Sequence, residues 1–388
     1  QNYNGGLTTT SVGGTVTLAG AIDSSNDVMT FGAITLAAAT TIDTNATNTT
    51  GDTTIGAVTG SNNNLTLDTT GSTGSASHTF TGDINLGTGR LDVTGDVVLG
   101  ANISITAQAS NNFGIRIRDR IDADDATNND RTLTLDAGLS SSIRVDNRIG
   151  FSQPLAGLTV TSTFFADFRS TVDVSDSNAG TITIIDAPNT RNIVFRNTTV
   201  VDNFVTTTEG YDIFFQGDTT FTNAVTFQNS GTLDLGNGTN DDITFNGGVT
   251  VNTSGNVTID GKIISSDDAI SFGNVRFGQS TSITSAGGAI SIGNITGFGS
   301  NRDVTITSTG GTANTVTVGS IGGGNINAVA ITSGTLTTLN GNITTNNTSG
   351  NSVTLVGTTT NGANITIDTN NTSNDGAINI APFSSSNN

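Results

Sequence analysis

Three pairs of adjacent aspartates are the residues of this chain whose type and spacing best suit acid–base chemistry. They are Asp124-Asp125, Asp241-Asp242 and Asp267-Asp268. Cleavage of a glycosidic bond uses two carboxyl groups held at a defined separation across that bond, and successive turns of a repeating fold can present them. Each pair, however, lies in a segment typical of turns, where aspartate is favoured for conformational reasons. We therefore interpret the pairs as turn residues, predict no catalytic site and expect that the protein is not an enzyme.

Three arginines, Arg116, Arg118 and Arg120, form the second group that could take part in chemistry. A polysaccharide lyase would use a basic residue close to bound calcium. Because these arginines alternate with isoleucines, a β-strand would place them all on one face and the isoleucines on the other. We interpret them as a strand face paired with aspartates in a surface ion-pair network, which contributes little to stability.

The residues that could bind metals are few. The segment 236–241, GNGTND, is similar to a calcium-binding turn, but it occurs once, whereas such sites stack several copies. His78 is the only histidine, in a polar link, and the chain contains no cysteine, so a transition-metal site is not expected. We predict no metal-binding residues and no cofactor, with calcium as the one ion that such turns could bind.

Composition excludes several classes of partner. The net charge of −19 argues against nucleic acid, whose phosphates are neutralised by Lys and Arg, and against anionic membrane surfaces. No apolar run approaches the ~20 residues that span a bilayer, so membrane insertion is not expected. The chain begins at Gln1 without a signal peptide, and we expect a processed product or part of a larger protein.

The elements that must position these residues are β-strands. The chain contains 73 threonines and 49 glycines, but Lys262 is its only lysine and Glu209 its only glutamate, so strong helix formers are scarce. Short runs in which apolar and polar residues alternate, such as 16–18, 65–67 and 91–93, are separated by links rich in Gly, Asn, Asp and Ser. This pattern predicts short, half-buried strands joined by turns, and therefore an all-β protein.

One stretch of the sequence occurs twice. Residues 14–42, GTVTLAGAIDSSNDVMTFGAITLAAATTI, align without a gap with residues 255–283, GNVTIDGKIISSDDAISFGNVRFGQSTSI. On this basis and on composition we divide the chain into a regular block (1–112), a block rich in Phe, Arg and Asp (113–232) and a second regular block (233–388) that repeats 14–105. We expect the tail after residue 383 to be flexible and the blocks to form one continuous rod.

Two all-β architectures are compatible with strands of this length. Tandem β-sandwiches would give a repeat of about 100 residues, and none is seen. A long repeat built from many short strands favours a right-handed parallel β-helix, or β-solenoid, with about 20–25 residues in each turn. We predict the β-solenoid and keep tandem β-sandwiches as the alternative.

Several short segments resemble the repeats of a known class of proteins. The segments TLTLDAG (132–138), GTLDLG (231–236) and DITFNGGV (242–249) resemble the repeats of large bacterial surface proteins, akin to filamentous haemagglutinins and autotransporter passengers. The resemblance implies a right-handed β-helix displayed outside the cell, in adhesion, surface coating or filaments.

These observations predict an extracellular structural protein, secreted to or displayed on a bacterial cell surface. It would be a rigid β-solenoid serving as a filament subunit or as the stalk of an adhesin. The expected partners are further copies joined end to end, with surface glycans and host or neighbouring cell surfaces as other possibilities. The alternative function is a carbohydrate-binding or carbohydrate-cleaving β-helix, with a groove of aromatic residues and carboxylates in 113–232.

Overall fold

The computed structural model contains two compact units, Gln1–Tyr211 and Asp212–Asn388. It describes residues 1–3, 5–44, 51–69, 76–110, 113–124, 130–176, 179–252, 255–311, 313–323, 325–346, 351–371 and 374–385. Asp125 and the last part of the tail, 386–388, lie outside these ranges. The boundaries of the two units differ from those of the three blocks that were defined from composition and the repeat. The three blocks therefore remain a prediction.

The first unit consists of short strands. They are β1 (Leu7–Thr8), β2 (Val16–Asp23), β3 (Met29–Phe31), β4 (Ile34–Asp43), β5 (Thr53–Ile55), β6 (Val58–Thr59), β7 (Leu65–Asp68), β8 (Ser77–Phe80), β9 (Ile84–Asn85), β10 (Leu91–Thr94), β11 (Asp96–Leu99), β12 (Ile103–Thr106), β13 (Phe113–Ile117), β14 (Ile121–Ala123), β15 (Thr132–Val145), β16 (Gly157–Phe168), β17 (Val172–Val174), β18 (Thr181–Ile184), β19 (Asn192–Phe195), β20 (Thr199–Val201) and β21 (Asn203–Thr206).

The second unit has the same character, and no helix occurs among the described residues of either unit. Its strands are β22 (Asp212–Phe215), β23 (Thr219–Phe221), β24 (Val225–Phe227), β25 (Leu233–Leu235), β26 (Asp242–Phe245), β27 (Val249–Val251), β28 (Val257–Ile259), β29 (Lys262–Ser265), β30 (Ile270–Phe272), β31 (Val275–Phe277), β32 (Thr281–Ser285), β33 (Ile290–Ile292), β34 (Ile295–Gly297), β35 (Arg302–Ser308), β36 (Thr315–Val318), β37 (Ile326–Leu339), β38 (Ile343–Thr344), β39 (Asn351–Asn361), β40 (Ile367–Asp368), β41 (Asn370–Asn371), β42 (Asn374–Asp375), β43 (Ala377–Ile380) and β44 (Phe383–Ser385).

Alternation of apolar and polar residues sets which side of each strand is buried. In β10, Leu91 and Val93 are fully buried, whereas Asp92 and Thr94 point outward. Leu91 pairs in parallel with Leu65 of β7 on one edge and with Ile115 of β13 on the other. Aliphatic side chains therefore stack in columns inside the coil, while polar side chains form columns on its surface.

Strand pairing confirms the β-solenoid. Among the described strands the pairings are parallel, except for the short β41–β42 pair, and paired residues lie 18 to 30 positions apart in the sequence. That interval is the length of one turn of the coil and brackets the predicted 20–25 residues. The alternative of tandem sandwiches is wrong, because sandwiches are built from antiparallel sheets.

The internal repeat has the same strand register in both copies. In the first copy Val16 pairs with Ile34, and in the second Val257 pairs with Val275. The equivalent core positions are buried in both, as with Phe31 and Phe272. The repeat is therefore a repeat of structure, present once in each unit.

Aromatic side chains fill part of each core. In the first unit Phe168 stacks on Phe195, with ring centroids 5.1 Å apart. In the second, Phe221 stacks on Phe245 at 4.8 Å, and Phe227 meets Phe221 edge-on at 6.0 Å. Stacked and edge-to-face rings are the arrangements that aromatic pairs prefer, so these buried rings fill the interior.

A column of hydroxyl groups runs inside the second unit. Four buried serines occupy paired positions on successive turns: Ser265, Ser285, Ser308 and Ser333. The hydroxyl of Ser265 donates to the carbonyl of Asp268 at 2.9 Å, and that of Ser308 to the carbonyl of Gly288 at 2.7 Å. Burying a hydroxyl group without a hydrogen-bond partner costs free energy. These bonds to backbone carbonyls therefore stabilise the links that follow the strands.

Candidate functional site

A recurring tripeptide, Gly-x-Ile or Gly-x-Val, produces the most regular surface feature. Its aliphatic residue is buried, and in the second unit Val257 pairs with Val275, which pairs with Ile295. Isolated bridges continue the series through Ile321 to Ile343. The residue x therefore lies on the surface directly above its equivalent in the next turn. In this unit the x positions, here named the asparagine column, are Asn256, Asn274, Asn294, Ser320 and Asn342.

Side-chain oxygens of the asparagine column bind the backbone of the next turn. The N–H of Asn294 donates to Oδ1 of Asn274 at 2.8 Å, and the N–H of Ser320 donates to Oδ1 of Asn294 at 2.9 Å. Oδ1 of Asn342 likewise accepts the N–H of Thr366 at 2.8 Å. These bonds fix each amide, and in the described structure no protein group accepts from the Nδ2 groups of these three asparagines. The column thus presents a row of oriented hydrogen-bond donors.

Two adjoining clefts lie along this column. One, of about 330 Å³, lies between Asn294, Thr296 and Asn342. The other, of about 340 Å³, lies between Asn256, Asn274 and Asn294, with Arg276 on its wall. Asn294 and Thr296 line both, so the clefts form one shallow groove along the column. Clefts with a few fixed polar groups are the usual form of a binding site.

In the first unit the same positions carry different residues. Ile34 pairs with Val16 and Val58, and Val58 pairs with Ile84, as their equivalents do in the second unit. The x residues there are Thr15, Ala33, Ala57 and Asp83. The asparagine column was not predicted from the sequence. The signal that identifies it is Gly-Asn followed by Val or Ile, which occurs at 255, 273, 293 and 341 in the column and once more, at 324, outside it.

The predicted aspartate pairs do not converge on a common cleft. Asp241 accepts the backbone N–H groups of Asn237 and Gly238 at 2.7 and 3.1 Å, whereas Asp242 forms an ion pair with Lys262 at 2.9 Å. The carboxylate of Asp241 therefore closes its own turn. In the segment 236–241, the carboxylate that could bind calcium is thus hydrogen-bonded to the backbone of the same segment.

The remaining pairs are equally local. Asp124 binds Arg131 at 2.7 Å, and its neighbour Asp125 lies outside the described residues. Asp267 accepts the hydroxyl of Ser266 at 3.2 Å on an exposed turn. The carboxylates thus serve turns and ion pairs. In the described ranges no three His, Asp or Glu side chains are grouped closely enough to hold a metal ion.

The three predicted arginines pair with aspartates, but they do not share one strand face. Arg116 lies in β13, whereas Arg118 and Arg120 lie in the link between β13 and β14. Arg118 binds both carboxylate oxygens of Asp92 at 3.0 Å, Arg116 binds Asp146 at 3.1 Å, and Arg120 binds Asp96. Such fork-shaped contacts suit the planar guanidinium group.

The network extends over the following turns. Asp146 also binds Arg144 at 2.5 Å; although burial opposes it, hydrogen bonds from Arg144 and Arg116 keep the pKa of Asp146 below its ordinary value. Asp167, which is nearly buried, binds Arg169 at 2.9 Å and Arg196 at 2.5 Å. The pairs Arg116–Asp146 and Arg196–Asp167 link neighbouring turns of the first unit, whereas the other two lie within one turn.

His78 lies in the core, and the prediction that it belongs to a polar link is wrong. It alternates with Phe80 in β8, and both side chains are fully buried. Its Nδ1 lies 2.5 Å from Oγ1 of Thr53, and its Nε2 lies 3.0 Å from the carbonyl oxygen of Thr94. Burial lowers the pKa of His78 below its ordinary value, so the neutral imidazole acts as a structural hydrogen-bonding group.

Two half-buried carboxyl groups lie close together in the second unit. Asp234 of β25 is paired with Thr258, and Asp260 follows β28. One oxygen of each carboxyl is buried without a hydrogen-bond partner. Burial, with the nearby carboxyl of Asp260, raises the pKa of Asp234 to about 7, and burial also raises the pKa of Asp260. The Leu-Asp-Leu pattern predicts an outward aspartate but not this degree of burial.

No family model, no curated protein and no solved structure matches this chain. The described residues contain no helix long and apolar enough to cross a membrane.

Proposed function

We propose that the protein is a non-catalytic structural scaffold, displayed outside a bacterial cell as a filament subunit or as the stalk of a surface adhesin. The observation that supports this most is the equality of strand register in the two copies of the repeat, with Val16 on Ile34 and Val257 on Val275. A catalytic protein needs one distinctive site, whereas a scaffold needs the same turn to be added many times.

The contacts between turns agree with a mechanical role. Each turn is joined to the next by parallel backbone ladders, by stacked core side chains and by polar side chains that reach across. Among the last are Asp52, whose Oδ1 accepts the N–H of Ser77 at 2.7 Å, and Asp218, whose Oδ1 accepts the N–H of Asp242 at 2.9 Å. Because these kinds of contact recur along each unit, rigidity does not depend on any single turn.

Edges left open in the described structure give a means of lengthening the coil. Within it, β1 has a strand partner on one edge only, β3, and β43 has one, β39. Ile378 occupies the core-facing position above Val353, yet 46% of its surface is exposed. Unpaired strand edges and uncovered core residues favour pairing with a further turn, which a second copy of the chain can supply.

Sedimentation velocity over a range of protein concentrations tests this proposal. We expect reversible association into end-to-end oligomers, weakened in Ile378→Lys because the charge would lie between two cores. Val205→Lys is the matched control, since Val205 is exposed to a similar extent, 45%, but lies on the outer face of β21. Monomers alone at every concentration, or equal effects of the two lysines, would contradict end-to-end assembly.

A further inference from the structure

Two asparagines of the groove, Asn274 and Asn294, have alanine counterparts in the first unit. In the first unit Ala33 and Ala57 occupy the positions of Asn274 and Asn294, and the neighbouring strands pair with the same parallel register. Alanine removes both the amide oxygen and the amide donor without changing the fold there. At these two positions the parallel pairing therefore forms without the amide group.

The groove offers hydrogen-bond donors and little charge. Of the described residues that line the two clefts, Arg276 is the only charged one, and it is drawn against the ring of Phe298, 4.4 Å from its centroid. The other polar side chains are the amides of Asn256, Asn274, Asn294 and Asn342 and the hydroxyls of Thr296, Ser320 and Thr344. The amide donors suit a ligand that is rich in hydroxyl oxygens. Because the groove has no cluster of charged side chains, it suits a neutral ligand better than an ionic one.

The backbone of the groove is already engaged, which disfavours an extended peptide as the ligand. The N–H groups of Asn294, Ser320 and Thr366 donate to side chains of the column, and those of Val275 and Ile295 donate to the turn above. A peptide that adds to a sheet needs free backbone groups at an edge. The groove presents side chains alone.

The spacing of the donors is that of the turns, about 4.8 Å. Five successive turns from Asn256 to Asn342 thus give a straight row of polar side chains roughly 20 Å long. A ligand with its own short repeat can meet this row at several places at once, so that weak contacts add up. We propose that the asparagine column binds a neutral polysaccharide, lying along the groove.

Affinity electrophoresis in native gels tests the proposal, with dextran, mixed-linkage β-glucan or glucomannan in the gel and with heparin as a polyanion. We expect at least one neutral polysaccharide to retard the protein. The double substitution Asn274→Ala and Asn294→Ala, which places in the groove the residues found in the first unit, should weaken binding about tenfold. The matched control is Asn246→Ala with Asn252→Ala, two exposed asparagines of the second unit outside the groove.

Three results would overturn the proposal: no retardation by any neutral polysaccharide, retardation by heparin alone, or equal weakening in the two double variants. Thermal unfolding shows whether the groove variant is folded. If it is not, the single substitution Asn342→Ala takes its place and should weaken binding by a smaller factor. The sedimentation behaviour of the groove variant should equal that of the unmodified chain, so failure of glycan binding and failure of end-to-end assembly are distinguishable.

Discussion

The side chains of Asp234 and His78 are ionisable groups removed from solvent. Their contributions to the free energy of unfolding change with pH in opposite directions. The pKa of Asp234 is raised to about 7 by burial, so its contribution to stability is complete in acid and is lost as pH rises through that value. Burial lowers the pKa of His78, so its contribution is present above the ordinary histidine pKa and is lost as pH falls through the lowered one.

Substitution of Asp234 by Asn should stabilise the protein in mild alkali, because it removes a charge that forms inside the fold. We expect the melting temperature at about pH 8 to rise by about 3 °C or more, and the difference to shrink towards about pH 4, where the carboxyl is protonated in the folded protein. Thermal unfolding followed by circular dichroism at both pH values measures this. Asp267→Asn, on an exposed turn, is the control. An equal gain at both pH values would mean that the effect is not due to ionisation.

At the scale of the elements, some positions must be glycine because two adjacent turns approach too closely for a side chain. The glycine of the Gly-x-Val tripeptide shows this, because Gly14 and Gly255 hold equivalent places in the two copies. A Cβ added at Gly255 would overlap the carbonyl oxygen of Gly231 in the adjacent turn, whereas one added at Gly14 would meet nothing within 4 Å.

We therefore expect Gly255→Ala to lower the free energy of unfolding by about 1–3 kcal/mol, since the adjacent turn must shift to accept the methyl group. Gly14→Ala should change it by less than about 0.5 kcal/mol. Chemical denaturation of the two variants compares them directly. Similar losses in both would show that the requirement for glycine comes from backbone conformation and not from contact between turns.

Much of the element structure is predictable from the sequence, and much of the site is not. Alternation within a few residues sets which side chains are buried, so strands such as β10 and the equivalence of the two repeats follow from the pattern. The groove depends instead on which residue lies above which in the next turn, and turns of 18 to 30 residues do not fix that register in advance. Asn274 and Asn294 therefore look like ordinary turn residues until their turns are stacked.

His78 shows the same limit in the core. Its segment contains Ser and Gly and reads as a link, yet the register that places it next to Thr53 buries it. A single polar residue at a core position is identified by its partners, and those partners lie one turn away in the sequence.

For the whole molecule, the dominant electrostatic quantity is the net charge of −19. Most aspartates are spread over the surfaces of the turns, where like charges repel, while the arginines are concentrated in the first unit. Raising the salt concentration from about 10 mM to about 150 mM shortens the screening length from about 30 Å to about 8 Å. This screening weakens the long-range repulsion more than the ion pairs in direct contact.

We expect the melting temperature at neutral pH to increase by about 2–5 °C over that range of salt. Differential scanning calorimetry in sodium chloride measures the change, and potassium chloride at equal ionic strength controls for specific binding of the cation. A decrease in melting temperature would show that the ion pairs around Asp92, Asp146 and Asp167 outweigh the repulsion.

The equality of register in the two copies of the repeat also has a consequence for the gene. Val16 and Val257 start the same sequence of pairings 241 residues apart. An unequal crossover between the two coding segments would insert or delete 241 codons in frame. The residues on either side of the joint would then meet residues equivalent to their present partners, so the number of turns can change by recombination while the register of the strands is kept.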